Sequence, residues 1–150
     1  MYIGIDCSSF AIHIAKLDED GKLLGLYKVS SKKKTADERL LDLALGFDAI
    51  IENILKTNKN VAIEKPVYVR NIRGMMTLVS VIAIVKVALF RNKVNFTLVD
   101  NKTWKKEVLG NGNSSKEQIM SFAERKWQRV FEEQDYADAA CIAEYGRKHD

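Results

Sequence analysis

Four carboxylates stand where packing alone gives them no purpose. Asp6 closes the apolar run that starts at Tyr2, and Glu64 closes Val61-Ala62-Ile63 just before Pro66. An acid at the end of a core strand is costly to desolvate unless it is paired or metal-bound, and the ends of sheet strands commonly carry active sites. Asp135 and Asp138 are three residues apart in a helical pattern, so they share a face, and the small neighbours Ala137 and Ala139 permit close packing. Singly, each acid has a structural explanation: Asp6 binding loop amides, Glu64 pairing with Arg70, Asp135 stabilising a helix N-terminus. Converging, the four would repel one another unless a divalent cation neutralised them. Magnesium or manganese suits such hard oxygen donors. A pair of these ions about 3.5 to 4 Å apart can activate water and stabilise a departing phosphate-ester oxygen, which is the apparatus of phosphodiester hydrolysis.

The elements that must position these acids can be read from pattern. Tyr2–Asp6, Phe10–Leu17 and Leu23–Val29 alternate as strands, and Asp20-Gly21 marks a hairpin between the second and third. The acids of that turn lack the spacing and distal Glu of a calcium loop. Lys32-Lys33-Lys34 reads as a solvated loop, and Thr35-Ala36-Asp37-Glu38 as a capping box opening an amphipathic helix. Val61–Glu64 predicts a short buried strand that Pro66 cannot extend. A long helix follows over Asn71–Asn92, apolar on most sides, as expected of a helix packed in the core and against a second subunit. Asn95–Val99 predicts another strand, and Asp100 caps a short helix ending at Gly110. Ser114-Ser115-Lys116-Glu117 reads as a second capping box, and a last helix runs from Gln134 to Gly146. No linker or repeat divides the chain, so one α/β domain over 1–150 is the simplest organisation.

Composition narrows the class. In 150 residues there are 24 Lys and Arg against 20 Asp and Glu, a formal net charge of +4, and 47% of residues are hydrophobic, enough for a core without staples. Eight Gly and one Pro exclude collagen-like and low-complexity chains. Cys7 and Cys141 cannot build a disulfide framework, so a reducing cytoplasm is the expected compartment and both cysteines read as packing residues. The apolar stretch Val79–Phe90 falls short of the ~18 residues a membrane span needs. His13 and His149 have no partner at ligand spacing, and neither is assigned to catalysis. A pI near 9.0 is compatible with a polyanionic partner and carries little weight alone.

Four segments together resemble one family: Ile3-Gly4-Ile5-Asp6, Ala62-Ile63-Glu64, Gly110-Asn111-Gly112-Asn113-Ser114-Ser115-Lys116 and Asp135-Tyr136-Ala137-Asp138-Ala139-Ala140. In order and separation they are similar to the RuvC-type Holliday-junction resolvases of the ribonuclease-H-like superfamily. The resemblance implies an α/β fold with a five-stranded mixed sheet flanked by helices. It also implies a homodimer and paired cuts across a four-way DNA junction with Mg²⁺ or Mn²⁺, two ions per site. By position, Asp6, Glu64, Asp135 and Asp138 become the catalytic and metal-binding acids, and Lys105 and Lys116 the active-site basic residues. A cation beside the scissile phosphate offsets developing charge, and a helix start favours phosphate. Tyr68, Arg70, Arg73, Lys102 and Lys106 complete the expected DNA contacts, with Tyr68 either a wedge at the junction centre or a packing residue.

The chain also departs from the family. Cys7-Ser8 replaces the usual Pro-Gly after Asp6, and Lys65-Pro66-Val67-Tyr68 moves the nearest aromatic away from Glu64. These differences resemble the divergent phage branch. That branch implies broader action on branched DNA, no branch-migration motor and a host-cytoplasmic location. Two other functions use the same features: a junction-binding architectural protein without catalysis, and a ribonuclease acting on RNA–DNA hybrids. An actin-like ATPase shares the opening Gly-Ile-Asp strand, but its two-lobed cleft needs a longer chain.

Overall fold

The computed structural model describes residues 1–54, 60–67 and 70–150. Five strands form one sheet in the order β3-β2-β1-β4-β5, with β1 Tyr2–Cys7, β2 Ala11–Leu17, β3 Leu23–Ser30, β4 Asn60–Glu64 and β5 Phe96–Val99. β1 runs antiparallel to β2 and parallel to β4, and β4 runs parallel to β5. This is the expected mixed sheet. The β2–β3 turn is the expected hairpin: Gly21 takes φ +83°, and Asp18 accepts from the backbone N–H groups of Asp20 and Lys22. Asp18 is therefore spent on turn geometry, and Glu19 accepts from the N-terminal amine of Met1.

Alternation along the strands sorts side chains into two layers. On one face Ile3, Ile5, Ile12, Ile14, Val61 and Ile63 are buried against α1 (Ala36–Ile54) and α2 (Ile72–Arg91). On the other, Ala15 and Ala62 pack under α3 (Asn101–Leu109), α4 (Lys116–Trp127) and α5 (Gln134–Lys148). Gly4 shows how near α5 comes. A Cβ there would lie 2.0 Å from the Ala139 carbonyl oxygen and 2.3 Å from the Ala143 nitrogen, so only glycine admits the helix backbone. Ala137, Ala139, Ala140 and Ala143 supply the same closeness from the helix side and are fully buried.

Helix boundaries follow the caps, with two corrections. The second capping box is Ser115 with Gln118, one residue beyond the Ser114–Glu117 pair: Gln118 N–H donates to Ser115 Oγ, and Ser115 N–H to Gln118 Oε1. Ser114 instead closes the preceding loop by donating from its hydroxyl to the Asn111 carbonyl. Asp100 occupies the N-cap of α3, but its side chain makes no capping bond and lies 3.6 Å from Lys65 Nζ. Gly110 ends α3 at φ +88°, where a left-handed residue is needed. Thr35 accepts from Glu38 N–H as expected, and Lys32, Lys33 and Lys34 are exposed.

The length argument against a membrane span does not hold for α2 as formed. Its 20 residues are long and apolar enough to cross a bilayer. What ties it to the protein is packing, since Val81, Ile82, Val85, Ala88 and Leu89 are buried in the layer shared with α1. The opposite side leaves Ile72, Met76, Val79, Val87 and Phe90 exposed, the last at 81%.

Candidate active site

The parallel strands β1, β4 and β5 all end at one edge, and the sheet register levels their last residues. Ile5 pairs with Ile63, so Asp6 and Glu64 leave adjacent strands side by side, and Glu64 pairs with Val99 immediately before α3. Asp6 shares the face of Gly4, the face α5 covers. The close approach permitted by Gly4 brings the first turns of α5 over this edge. Asp6, Asp135 and Asp138 each present a carboxylate oxygen, all within 4.8 Å of one another.

The electrostatics are those of an anionic cluster. Burial holds the Asp6 carboxyl well above the usual carboxylate range, and the charges of Asp138, Glu64 and Asp135 push it further in the same direction. Asp138 is pushed up to about 6, chiefly by burial, with Glu64 and Asp135 adding to it; the hydrogen bond from Gln134 and the charge of Lys105 oppose the rise. Gln134 Nε2 donates to Asp138 Oδ1 at 3.0 Å. Asp135 lies in the first turn of α5, where the helix dipole favours a carboxylate.

Glu64 is not among the three closest acids, yet it acts on both Asp6 and Asp138. It does not pair with Arg70. Its Oε2 accepts from Trp104 Nε1 and from Asn101 Nδ2, so α3 holds it in place. Trp104 is fully buried and carries Lys105 Nζ 5.7 Å from its ring centroid, and Lys105 is the cation acting on Asp138. α3 thus braces one acid and offers a cation to another.

The expected basic residues divide. Lys105 reaches the cluster electrostatically, whereas Lys116, at the first position of α4, is exposed and makes no ion pair among the described residues. Arg70, Arg73 and Lys102 are exposed at or near the starts of α2 and α3, and Lys106 is exposed in the last turn of α3. Tyr68 lies outside the described residues. Cys7 and Cys141 are free thiols packed in different core layers, and burial pushes both thiols up.

Four groups beside the acids escaped the sequence reading: Asn101, Trp104, Gln134 and His13. Trp104 had a signal: it is a lone large ring in the Lys- and Glu-rich stretch 102–107, and a buried indole N–H needs an acceptor. Gln134 had only its i, i+4 spacing from Asp138. His13, unassigned above, sits opposite Asp6 in the β1–β2 register and is buried at 1% exposure.

The donor set fits a divalent metal. It is all carboxylate oxygen, close-set and partly desolvated, and it leaves negative charge that the described residues do not neutralise. Asp6, Asp135 and Asp138 would hold such an ion, with Glu64 beside them.

Comparison with known proteins places the fold. No curated protein sequence matches the chain. Among solved structures, Thermus thermophilus RuvC in complex with a Holliday junction substrate superposes at a TM-score of 0.80, with 20% identity over 99% of this chain and 97% of that one. A second Thermus thermophilus RuvC structure gives 0.75, with 20% identity over 94% and 89%. The yeast mitochondrial Holliday junction resolvase Ydc2 gives 0.61, with 16% identity over 98% and 80%. The family model DUF3882, described as Lactococcus phage M3 protein, matches residues 8–148. The chain therefore belongs to the family of the Lactococcus phage M3 protein, and its fold is that of the RuvC resolvases.

Proposed function

We propose that the protein is a structure-selective endonuclease that resolves four-way DNA junctions, and related branched DNA, by metal-dependent phosphodiester hydrolysis. The observation that carries this reading is the gathering of Asp6, Asp135 and Asp138 within 4.8 Å at the sheet edge where Glu64 also emerges. Mg²⁺ or Mn²⁺, two ions per site, would supply an activated water and stabilise the leaving oxygen. The chain's own groups do the rest. Asp6, Asp135 and Asp138 would hold the ions, Glu64 beside them is kept in orientation by Trp104 and Asn101, and Lys105 would offset charge developing on the phosphate. Lys116, Lys102, Lys106, Arg70 and Arg73 would contact the DNA backbone, and Tyr68 would stack at the junction centre.

Paired cuts require two sites, and the exposed apolar stripe of α2 suits a homodimer contact. The neighbours' identity as junction resolvases and the phage family match support a phage resolvase; its place in the host cytoplasm and its independence of a branch-migration motor are part of the proposal and follow from the resemblance to the phage branch.

The test is cleavage of a synthetic four-way junction with Mg²⁺ or Mn²⁺. Wild-type protein is expected to cut opposing strands, and Asp6→Asn to bind the junction without cutting it. Tight binding with no cleavage under any divalent metal would instead identify an architectural junction binder. Faster cleavage of an RNA–DNA hybrid would identify a ribonuclease.

A further inference from the structure

His13 is a fully enclosed polar ring. It is 1% exposed, and among the described residues neither Nδ1 nor Nε2 has a hydrogen-bond partner. Leaving a polar group in that state is destabilising, so its presence in a core strand needs a reason. The ring is held on edge by Tyr136 of α5, with centroids 4.8 Å apart and planes at 82°. In that orientation Nδ1 faces Asp135 Oδ2 at 3.8 Å, and Nε2 faces Glu133 Oε1 at 3.5 Å. Glu133 is in turn held by Lys28 Nζ, at 2.9 Å to one carboxylate oxygen and 3.0 Å to the other. Lys28 is His13's register partner on β3, as Asp6 is on β1. A line of side chains thus runs Lys28, Glu133, His13, Asp135 into the acid cluster.

We infer that His13 is a positioning residue for the metal site: its Nδ1 edge holds the Asp135 carboxylate in the ligating orientation, and Glu133, clamped by Lys28, keeps the ring aimed. The separations are a few tenths of an ångström beyond hydrogen-bonding length, as is common for the hydrogen bonds of a site in its ligand-free state. Outer partners of this kind set metal affinity by 10- to 100-fold in other proteins. This deepens the proposed function and rests on it for Asp135 being a ligand.

The test is Mn²⁺ titration of the DNA-free protein by calorimetry, paired with the Mg²⁺ dependence of junction cleavage. His13→Leu removes the ring nitrogens, and His13→Asn keeps an amide donor near the position of Nδ1. Glu133→Ala loosens the aim without touching the core, since Glu133 makes no side-chain cap bond. His13→Leu is expected to weaken Mn²⁺ binding about 10- to 100-fold and to raise the Mg²⁺ needed for half-maximal cleavage by the same factor. Metal-free junction affinity should be unchanged. His13→Asn is expected to stay within about threefold of wild type, and Glu133→Ala to lose several-fold.

Mn²⁺ binding by His13→Leu equal to wild type overturns the inference, as does equal impairment of the Leu and Asn variants, which marks a packing role. If His13→Leu does not fold, wild-type Mn²⁺ binding by Glu133→Ala overturns it. Wild-type protein that binds Mn²⁺ with the expected variant pattern but cuts no junction removes the proposed function and leaves the inference standing. Wild-type protein that binds no Mn²⁺ removes the inference as well.

Discussion

Asp138→Asn is expected to make the metal-free protein more stable while ending cleavage. Asn keeps an oxygen to accept from Gln134 and nearly the same volume, so the change removes charge with little loss of packing. The sign follows from linkage. Folding pushes the Asp138 carboxyl from an ordinary 3.8 up to about 6, so the folded state holds a proton that the unfolded state has released. Below the unfolded value both states are protonated and no penalty exists. The penalty grows as pH rises through the window from 3.8 to about 6, and above it the wild type carries the whole cost. A displacement of that size corresponds to about 3 kcal/mol. The side chain retains some exposure to water, which brings the expected gain at pH 7.5 to about 2 kcal/mol.

For a chain of this length that is a rise in Tm of roughly 4 to 8 °C. Thermal unfolding in EDTA from pH 4 to 8 reads it directly. The variant should melt above wild type at pH 7.5, with the gap closing toward pH 4. Adding Mg²⁺ or Mn²⁺ should raise wild type alone, by about 2.7 kcal/mol at a hundred times the dissociation constant. A variant no more stable than wild type at pH 7.5 without metal, or a gap that does not shrink on acidification, would refute the picture of a strained acid cluster.

The remaining expectations are simpler. Trp104→Phe keeps the buried ring but strips Glu64 of its indole donor; it should cost about 1.5 to 3 kcal/mol in urea unfolding and slow cleavage at unchanged junction affinity, and normal cleavage would show that Glu64 needs no such brace. Gly4→Ala forces a Cβ into the α5 backbone, so cooperative unfolding should be lost or weakened by at least about 3 kcal/mol, as read by circular dichroism. Lys102→Ala with Lys106→Ala should weaken binding to all branched substrates alike and lower the slope of log affinity against log salt by up to about 1.8, as measured by fluorescence anisotropy. Phe90→Glu places a charge on the 81%-exposed apolar stripe of α2 and should leave a monomer by light scattering if that face joins two copies, with paired cuts becoming single nicks.

Much of the site was legible in the chain because its residues break local rules. Asp6 and Glu64 end apolar strands, and Asp135 and Asp138 share a helical face among alanines, so each shows itself against its neighbours. Periodicity and turn chemistry likewise located the five strands, the Asp20-Gly21 hairpin and the helices, because alternation of two and spacing of three to four are properties of contiguous residues. What the tertiary structure decided is what depends on residues meeting across the chain. The β1–β4 register set Asp6 beside Glu64, and Gly4 admitted α5 closely enough to gather three acids. Glu64 took Trp104 and Asn101 as partners 40 and 37 positions away, where proximity in sequence had pointed to Arg70. His13 gained its place from a strand pairing and a helix more than a hundred residues distant. Local sequence sets which conformation and which face each segment prefers; the partners of a buried polar group are set by how those faces stack, and that is a property of the whole fold.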